Sequence, residues 1–156
     1  DKKNFRFQKK LGGGALMDVG AYPLSIPFFL FKDFKYSIIK KKINISKKSK
    51  LDISGQVLLN IDKNCICNFS WGFNSPYENY LRITGINGSI EAKFIFSKKI
   101  SQSCELKVVS NNNQKKIFIK EANQINLAFN HFLNGSIDKK FNKISSKLLR
   151  VLDSIK

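Results

Sequence analysis

The sequence predicts an α+β domain: a predominantly antiparallel, open-faced sheet with helices on one face. Three observations predict it. An apolar run with helical spacing sits near the amino end. From residue 36 to residue 119 the apolar period falls to two, broken by short polar turns. Helical spacing then returns from residue 125 to the end. Helices segregated from antiparallel strands are the pattern of an α+β fold with one sheet face covered. At 156 residues the chain is long enough for one domain, residues 1–156, with a sizeable core.

Taken in order, residues 1–11 are basic with Phe5, Phe7 and Leu11 apolar, and read as an extended lead-in. The glycines Gly12, Gly13 and Gly14 feed a helix, since glycine permits positive φ and close backbone approach. Pro23 and Pro27 are expected to kink or end it, with a second helical piece reaching Lys32. Strands are expected at residues 36–45, with Ile39, Ile43 and Ile45 mostly on one face, and at 52–61, where Val57, Leu59 and Ile61 alternate. A turn at 62–64 leads to a strand over 65–73 that puts Cys65, Cys67, Phe69 and Trp71 on one side. So tight a turn implies antiparallel pairing. Asn74 to Pro76 interrupts, the segments 79–85 and 88–96 form a hairpin, and two less regular pieces around Asn111 to Gln114 form another. A helix over 125–135 stopping at Gly135 and a last helix over 145–155, with Leu148, Leu149, Leu152 and Ile155, complete the chain. Val57, Leu59, Phe69, Trp71, Ile83, Ile90 and Phe94 could make the sheet's second face an interface.

Composition excludes several classes. The apolar run at residues 26–31 is far too short to span a bilayer, and no segment has the order of a signal peptide, so a cytoplasmic location and no membrane partner are expected. Cys65, Cys67 and Cys104 lack the partner clusters of a zinc site and read as small apolar fillers, so no metal is expected. A lone His131 within a helix likewise has no second ligand nearby in a recognisable spacing. The net charge of +17 invites phosphate, but the lysines are scattered among Asn, Ile and Phe, as codon bias would leave them. The local runs at 40–42 and 47–50 suit solvated strand and turn edges, so nucleic acid is not the favoured partner.

The stretch GGGALMDVGAYP, residues 12–23, is where chemistry could sit. On a helix from Ala15, Asp18 and Tyr22 are four apart and share a face, with Cβ atoms about 5–6 Å apart, and Ser25 continues the stripe. The plain alternative is an ordinary core helix whose Asp18 favours the positive end of the helix dipole. The run is not a dinucleotide fingerprint, because no GxGxxG follows a strand here.

Gly12, Gly13, Gly14, Leu16, Asp18, Gly20 and Tyr22 together resemble the signature that opens the second domain of the Gfo/Idh/MocA oxidoreductases, the NAD(P)-dependent sugar and inositol enzymes related to glucose-fructose oxidoreductase. Residues 69–92, with their Gly-x-x-Gly-Ser turn, and the closing 144–155 resemble the family's paired strands and final helix. The resemblance implies a C-terminal domain of the glyceraldehyde-3-phosphate dehydrogenase-like type, which binds substrate near the opening helix and oligomerises through its open sheet. It implies a sugar, sugar-nucleotide or polyol substrate, and NAD or NADP bound mainly by a preceding Rossmann domain, so that this chain alone binds no cofactor and is inactive. It gives Tyr22 the place of the proton donor or acceptor, which a lysine of the nucleotide-binding domain assists. Asp18 takes the place of the aspartate that orients substrate or its catalytic partner. Ser25 stands where many members carry a second aspartate at the substrate. A stand-alone domain that dimerises or binds through its sheet without catalysis is the rival reading, and a basic single-strand binder using aromatics beside lysines is a third.

Overall fold

The structure is a computed structural model that describes residues 4–31, 33–62, 64–73, 75–111, 113–134 and 139–156. Lys32, Lys63, Asn74, Asn112 and Gly135, which figure in the expected turns and helix ends, lie outside the described residues. Among the described residues seven strands and three α-helices follow in the order α1 (Ala21–Leu30), β1 (Tyr36–Ile45), β2 (Asp52–Ile61), β3 (Cys65–Gly72), β4 (Tyr80–Gly85), β5 (Gly88–Lys93), β6 (Cys104–Ser110), β7 (Asn113–Ile119), α2 (Gln124–Leu133) and α3 (Lys139–Ile155). Every strand pairing is antiparallel, and the α+β class follows. The strands divide into a three-stranded sheet, β1-β2-β3, and a four-stranded sheet, β4-β5-β6-β7. Each belongs to its own compact unit, residues 1–75 with 139–156 and residues 76–138.

In the first unit the inner face of the β1-β2-β3 sheet carries Val57, Leu59, Phe69 and Trp71, buried together with Leu16, Leu24 and Phe28 from the amino-terminal helical segment and Val151, Leu152 and Ile155 from α3. Those four strand residues, which the sequence offers as part of an interface, are therefore core. Their alternation is that of a half-buried strand, and the helices supply the cover it needs. The expected apolar face of β1 is different in fact. Register shifts between Ile38 and Lys40 and between Asn44 and Ile45 turn Ile39 and Ile45 outward, while Tyr36, Ile38 and Ile43 pack on the core. Lys41, from the same strand, donates to the Ser154 and Ile155 carbonyls at 3.2 and 2.8 Å and so satisfies the last turn of α3.

Trp71 is the largest core side chain, and two glycines make room for it. A Cβ on Gly55, its register partner on β2, would enter the indole ring, and one on Gly20 would come within 3.1 Å of Cγ and Cδ2 of the same indole. The indole Nε1 is buried with no hydrogen-bond partner among the described residues.

On the same face of β3 the Cys65 and Cys67 sulfurs lie 3.7 Å apart. Burial, with the neighbouring Cys65 adding to it, pushes the Cys67 thiol up to about 12 from 9.0. The unfolded thiol therefore ionises first, and the folded state holds the extra proton. Cys67 contributes nothing to pH dependence below about pH 9, and stability falls as pH rises from there towards 12. In urea titrations the native protein should lose more stability between pH 9 and 11 than Cys67→Ala does, and equal losses would refute the assignment.

In the second unit Leu81, Ala92, Leu106 and Ile117 form one row across the four-stranded sheet, and Ile83, Ile90 and Val108 form the next on the same face. The opposite face carries the Arg82–Glu91 and Lys116–Glu105 ion pairs. The helix α2 has no buried residue and does not pack across this sheet. Its first turn is closed by Asn123, whose side chain accepts from the amides of Ile125 and Asn126. The strand β5 stops at Lys93 because Phe94 turns to φ 57° and donates its amide to the Asn79 carbonyl. Asn79 then holds the following loop, its side chain bonding the Phe96 amide, the Ser97 carbonyl and the Tyr77 hydroxyl. No helix among the described residues is long and apolar enough to cross a membrane.

Candidate functional site

The site is built on residues 4–25. The lead-in is not extended: it forms two 3₁₀ turns, Phe5–Phe7 and Lys9–Leu11, the first capped by the Asn4 side chain on the Arg6 amide at 3.0 Å. The glycine run folds back on these turns. The amides of Gly12, Gly13 and Gly14 donate to the carbonyls of Lys9, Gln8 and Arg6 at 3.1, 3.0 and 3.0 Å. A glycine-rich loop that cradles phosphates needs such amides free, and here all three are occupied inside the chain.

Only glycine suits position 14. Its φ is +129°, and a Cβ there would strike the Asp52 carboxylate. That carboxylate, at the start of β2, accepts the Leu16 amide at 2.6 Å. Asp52 thereby takes the part of a helix cap delivered from a strand, ties the helical segment to the sheet, and puts a negative charge at the positive helix end.

From Leu16 to Gly20 the chain winds as a wide π turn before α1 begins at Ala21. The prolines do not end the helix as expected. Pro23 falls in the first turn of α1, where its missing amide costs little, and Pro27 sits inside it, buried against the core. The π turn follows i→i+5 bonding, so the even i,i+4 stacking expected of Asp18 and Tyr22 does not carry through it. Asp18 instead accepts from Arg6, with Nε–Oδ2 at 2.5 Å and side chains 24% and 43% exposed. Among the described residues this is the hydrogen bond of the Asp18 carboxylate, and it runs to Arg6 rather than to the Tyr22 phenol. The Arg6 guanidinium also lies 4.9 Å over the ring of Phe5.

Tyr22 stands on the first turn of α1 with half of its surface exposed. Ser25 is half-buried and turns its hydroxyl into its own helix, donating to the Tyr22 carbonyl at 2.7 Å. Of the three residues the sequence singles out, Tyr22 faces solvent, Asp18 is held by an arginine, and the Ser25 hydroxyl is engaged with backbone. Arg6 and Asp52 escape a sequence reading. Their partners lie 12 and 36 positions away, and no local spacing links them.

The family described as GFO/IDH/MocA C-terminal domain matches residues 1–91. A dTDP-3,4-didehydro-2,6-dideoxy-alpha-D-glucose 3-reductase of Saccharopolyspora spinosa is 30% identical over 88 residues, 56% of this chain and 26% of that protein. Among solved structures, a tyrosine-to-phenylalanine variant of KijD10, a 3-ketoreductase from Actinomadura kijaniata in complex with TDP-benzene and NADP, superposes with a TM-score of 0.85 at 17% identity, over 99% of this chain and 49% of that one. KijD10 with NADP and TDP-benzene gives 0.84 at 18% identity, over 97% and 48%. At those identities the likeness is one of fold. The chain spans about half the length of these solved relatives. With the signature and its supporting contacts on residues 4–25 and the family match reaching from there through β4 and into β5, the chain belongs to the GFO/IDH/MocA family, as a C-terminal domain.

Proposed function

We propose that this chain is the substrate-binding half of an NAD(P)-dependent oxidoreductase that interconverts a carbonyl and a hydroxyl on a sugar nucleotide or a related sugar or polyol. The observation that carries the reading is the folded signature itself: a rigid glycine turn, braced by Asp52, that delivers Asp18 to Arg6 and sets Tyr22 at the solvent-facing start of α1. The relatives' names, a 3-reductase of a dTDP-sugar and a 3-ketoreductase with TDP-benzene and NADP, favour a nucleotide-linked keto sugar as the substrate.

The chain's own glycine run does not fit a dinucleotide, because its amides are occupied. In this reading NAD or NADP is held by a Rossmann domain, and when bound it supplies or accepts the hydride. The work left to this chain is the proton. In the reducing direction Tyr22 gives its phenolic proton to the substrate oxygen as the carbonyl carbon gains its hydrogen, and a half-exposed phenol can recover a proton from water. In the oxidising direction the Tyr22 oxygen takes the proton back from the substrate hydroxyl. Asp18, held by Arg6, presents its carboxylate to the substrate's hydroxyl groups, and Ser25 supports the Tyr22 turn from behind.

The apolar rows of the β4–β7 sheet, where Ile90 and Ile117 are exposed, support a second element of the proposal, a homo-oligomer formed through that face. The same face would serve a domain that binds without catalysis, so the assay must separate the two. The protein carrying both domains should consume NADPH or NADH when given nucleoside-diphosphate keto sugars and not with the matching deoxy compounds. No consumption with any keto sugar or polyol, in either direction, would overturn the catalytic reading.

A further inference from the structure

We infer that Arg6 is a positioning residue of the substrate site, acting through Asp18; the inference rests on the catalytic reading above. The Arg6–Asp18 contact uses only part of each group. A guanidinium has five N–H donors, and here Nε alone is bonded, leaving both terminal nitrogens without a hydrogen bond among the described residues. The carboxylate is bonded through Oδ2, and Oδ1 has no partner among the described residues. Both side chains are partly exposed. A contact that served stability alone would be expected to bury these groups or pair them side by side, as bidentate arginine–carboxylate pairs do. This one holds the carboxylate by a single oxygen and leaves the other available.

The backbone around the pair adds to the case. The Arg6 carbonyl accepts the Gly14 amide, and its own amide is capped by Asn4, so the residue is held from both sides of the main chain. Phe5 lies under the guanidinium. Asp18, on the π turn, has its amide on the Gly14 carbonyl at 3.3 Å. Two residues 12 apart are thus fixed to one glycine, Gly14, which sets the position of the carboxylate's free oxygen four residues ahead of Tyr22. The ligand chemistry that fits a carboxylate held in this way is a polyhydroxylated ring, one of whose hydroxyls donates to Oδ1.

The test uses the protein carrying both domains, with NADPH and a nucleoside-diphosphate keto sugar. Arg6→Ala should lower kcat/KM by about 10²-fold, the scale of a misplaced reacting group. Arg6→Lys, which keeps the charge without the fork, should recover only part of it, and added methylguanidinium should restore part of the activity of Arg6→Ala. Because Arg6 acts through Asp18, the double variant Arg6→Ala with Asp18→Ala should be no slower than Asp18→Ala alone. Losses that multiply in the double variant, or an Arg6→Ala protein with unchanged kcat and KM, would overturn the assignment. Should Arg6→Ala fail to fold, Arg6→Lys carries the same test, because it too breaks the Nε contact. A native protein that turns over no such substrate would overturn the catalytic reading and this inference with it, whereas an active native protein with indifferent Arg6 variants would overturn the inference alone.

Discussion

Tyr22→Phe, in the protein carrying both domains, lowers turnover by about 10²–10⁴-fold, the usual span for loss of a general acid–base group. The fold should not change. Half of the residue's surface is exposed, and phenylalanine keeps the whole ring. Removing one oxygen from an exposed position leaves no cavity, so the thermal midpoint should stay within about 2 °C. Since the lost contact is made most strongly as the substrate oxygen gains its proton, kcat and kcat/KM should fall together rather than KM rising alone. NADPH consumption under saturating and limiting substrate measures both. Turnover equal to the native protein's would remove Tyr22 from the chemistry.

Gly55→Ala should unfold or gravely weaken the first unit, at a cost of about 3 kcal/mol or more, above the usual range for overpacking. The new methyl group has no free direction. It points into the indole of Trp71, directly opposite on β3, and the indole is already backed by Gly20 on the helical side. Trp71 is buried, and its neighbours Val57 and Phe69 are fixed by the sheet, so the ring cannot step aside without parting the helices from the strands. A urea titration should show the midpoint falling sharply with little change in slope. Trp71→Phe added to Gly55→Ala should restore part of the loss, because a smaller ring vacates the space. An unchanged midpoint in the single variant would contradict the packing described here.

The sheet was readable from the chain because its strands obey local rules. For β1 and β2 the period-two reading marks the ends found in the structure, Tyr36–Ile45 and Asp52–Ile61, since polar or lysine-rich turns flank both. Which face of β1 turns inward was not readable, because the two register shifts depend on how β2 lies beside it. The split into two sheets was equally hidden. Pro76, the one proline after Pro27, marks an interruption of the strands, but that the sheet divides there appears only in the pairing. In the site, Gly14 and Tyr22 stood out because a glycine run before a helix is a local signal. The π turn did not, since its residues would suit an α-helix and the strand-borne cap from Asp52 lies far along the chain. Arg6 was hidden for a similar reason: in a stretch rich in lysine, one more cation carries no pattern.

The most direct measurement is a crystal structure of the protein carrying both domains with NADP and a nucleotide-linked keto sugar. The Tyr22 hydroxyl is expected at about 2.6–3.2 Å from the sugar oxygen that is reduced. A Tyr22 ring turned away from the sugar, with another side chain or water chain at that oxygen, would contradict it.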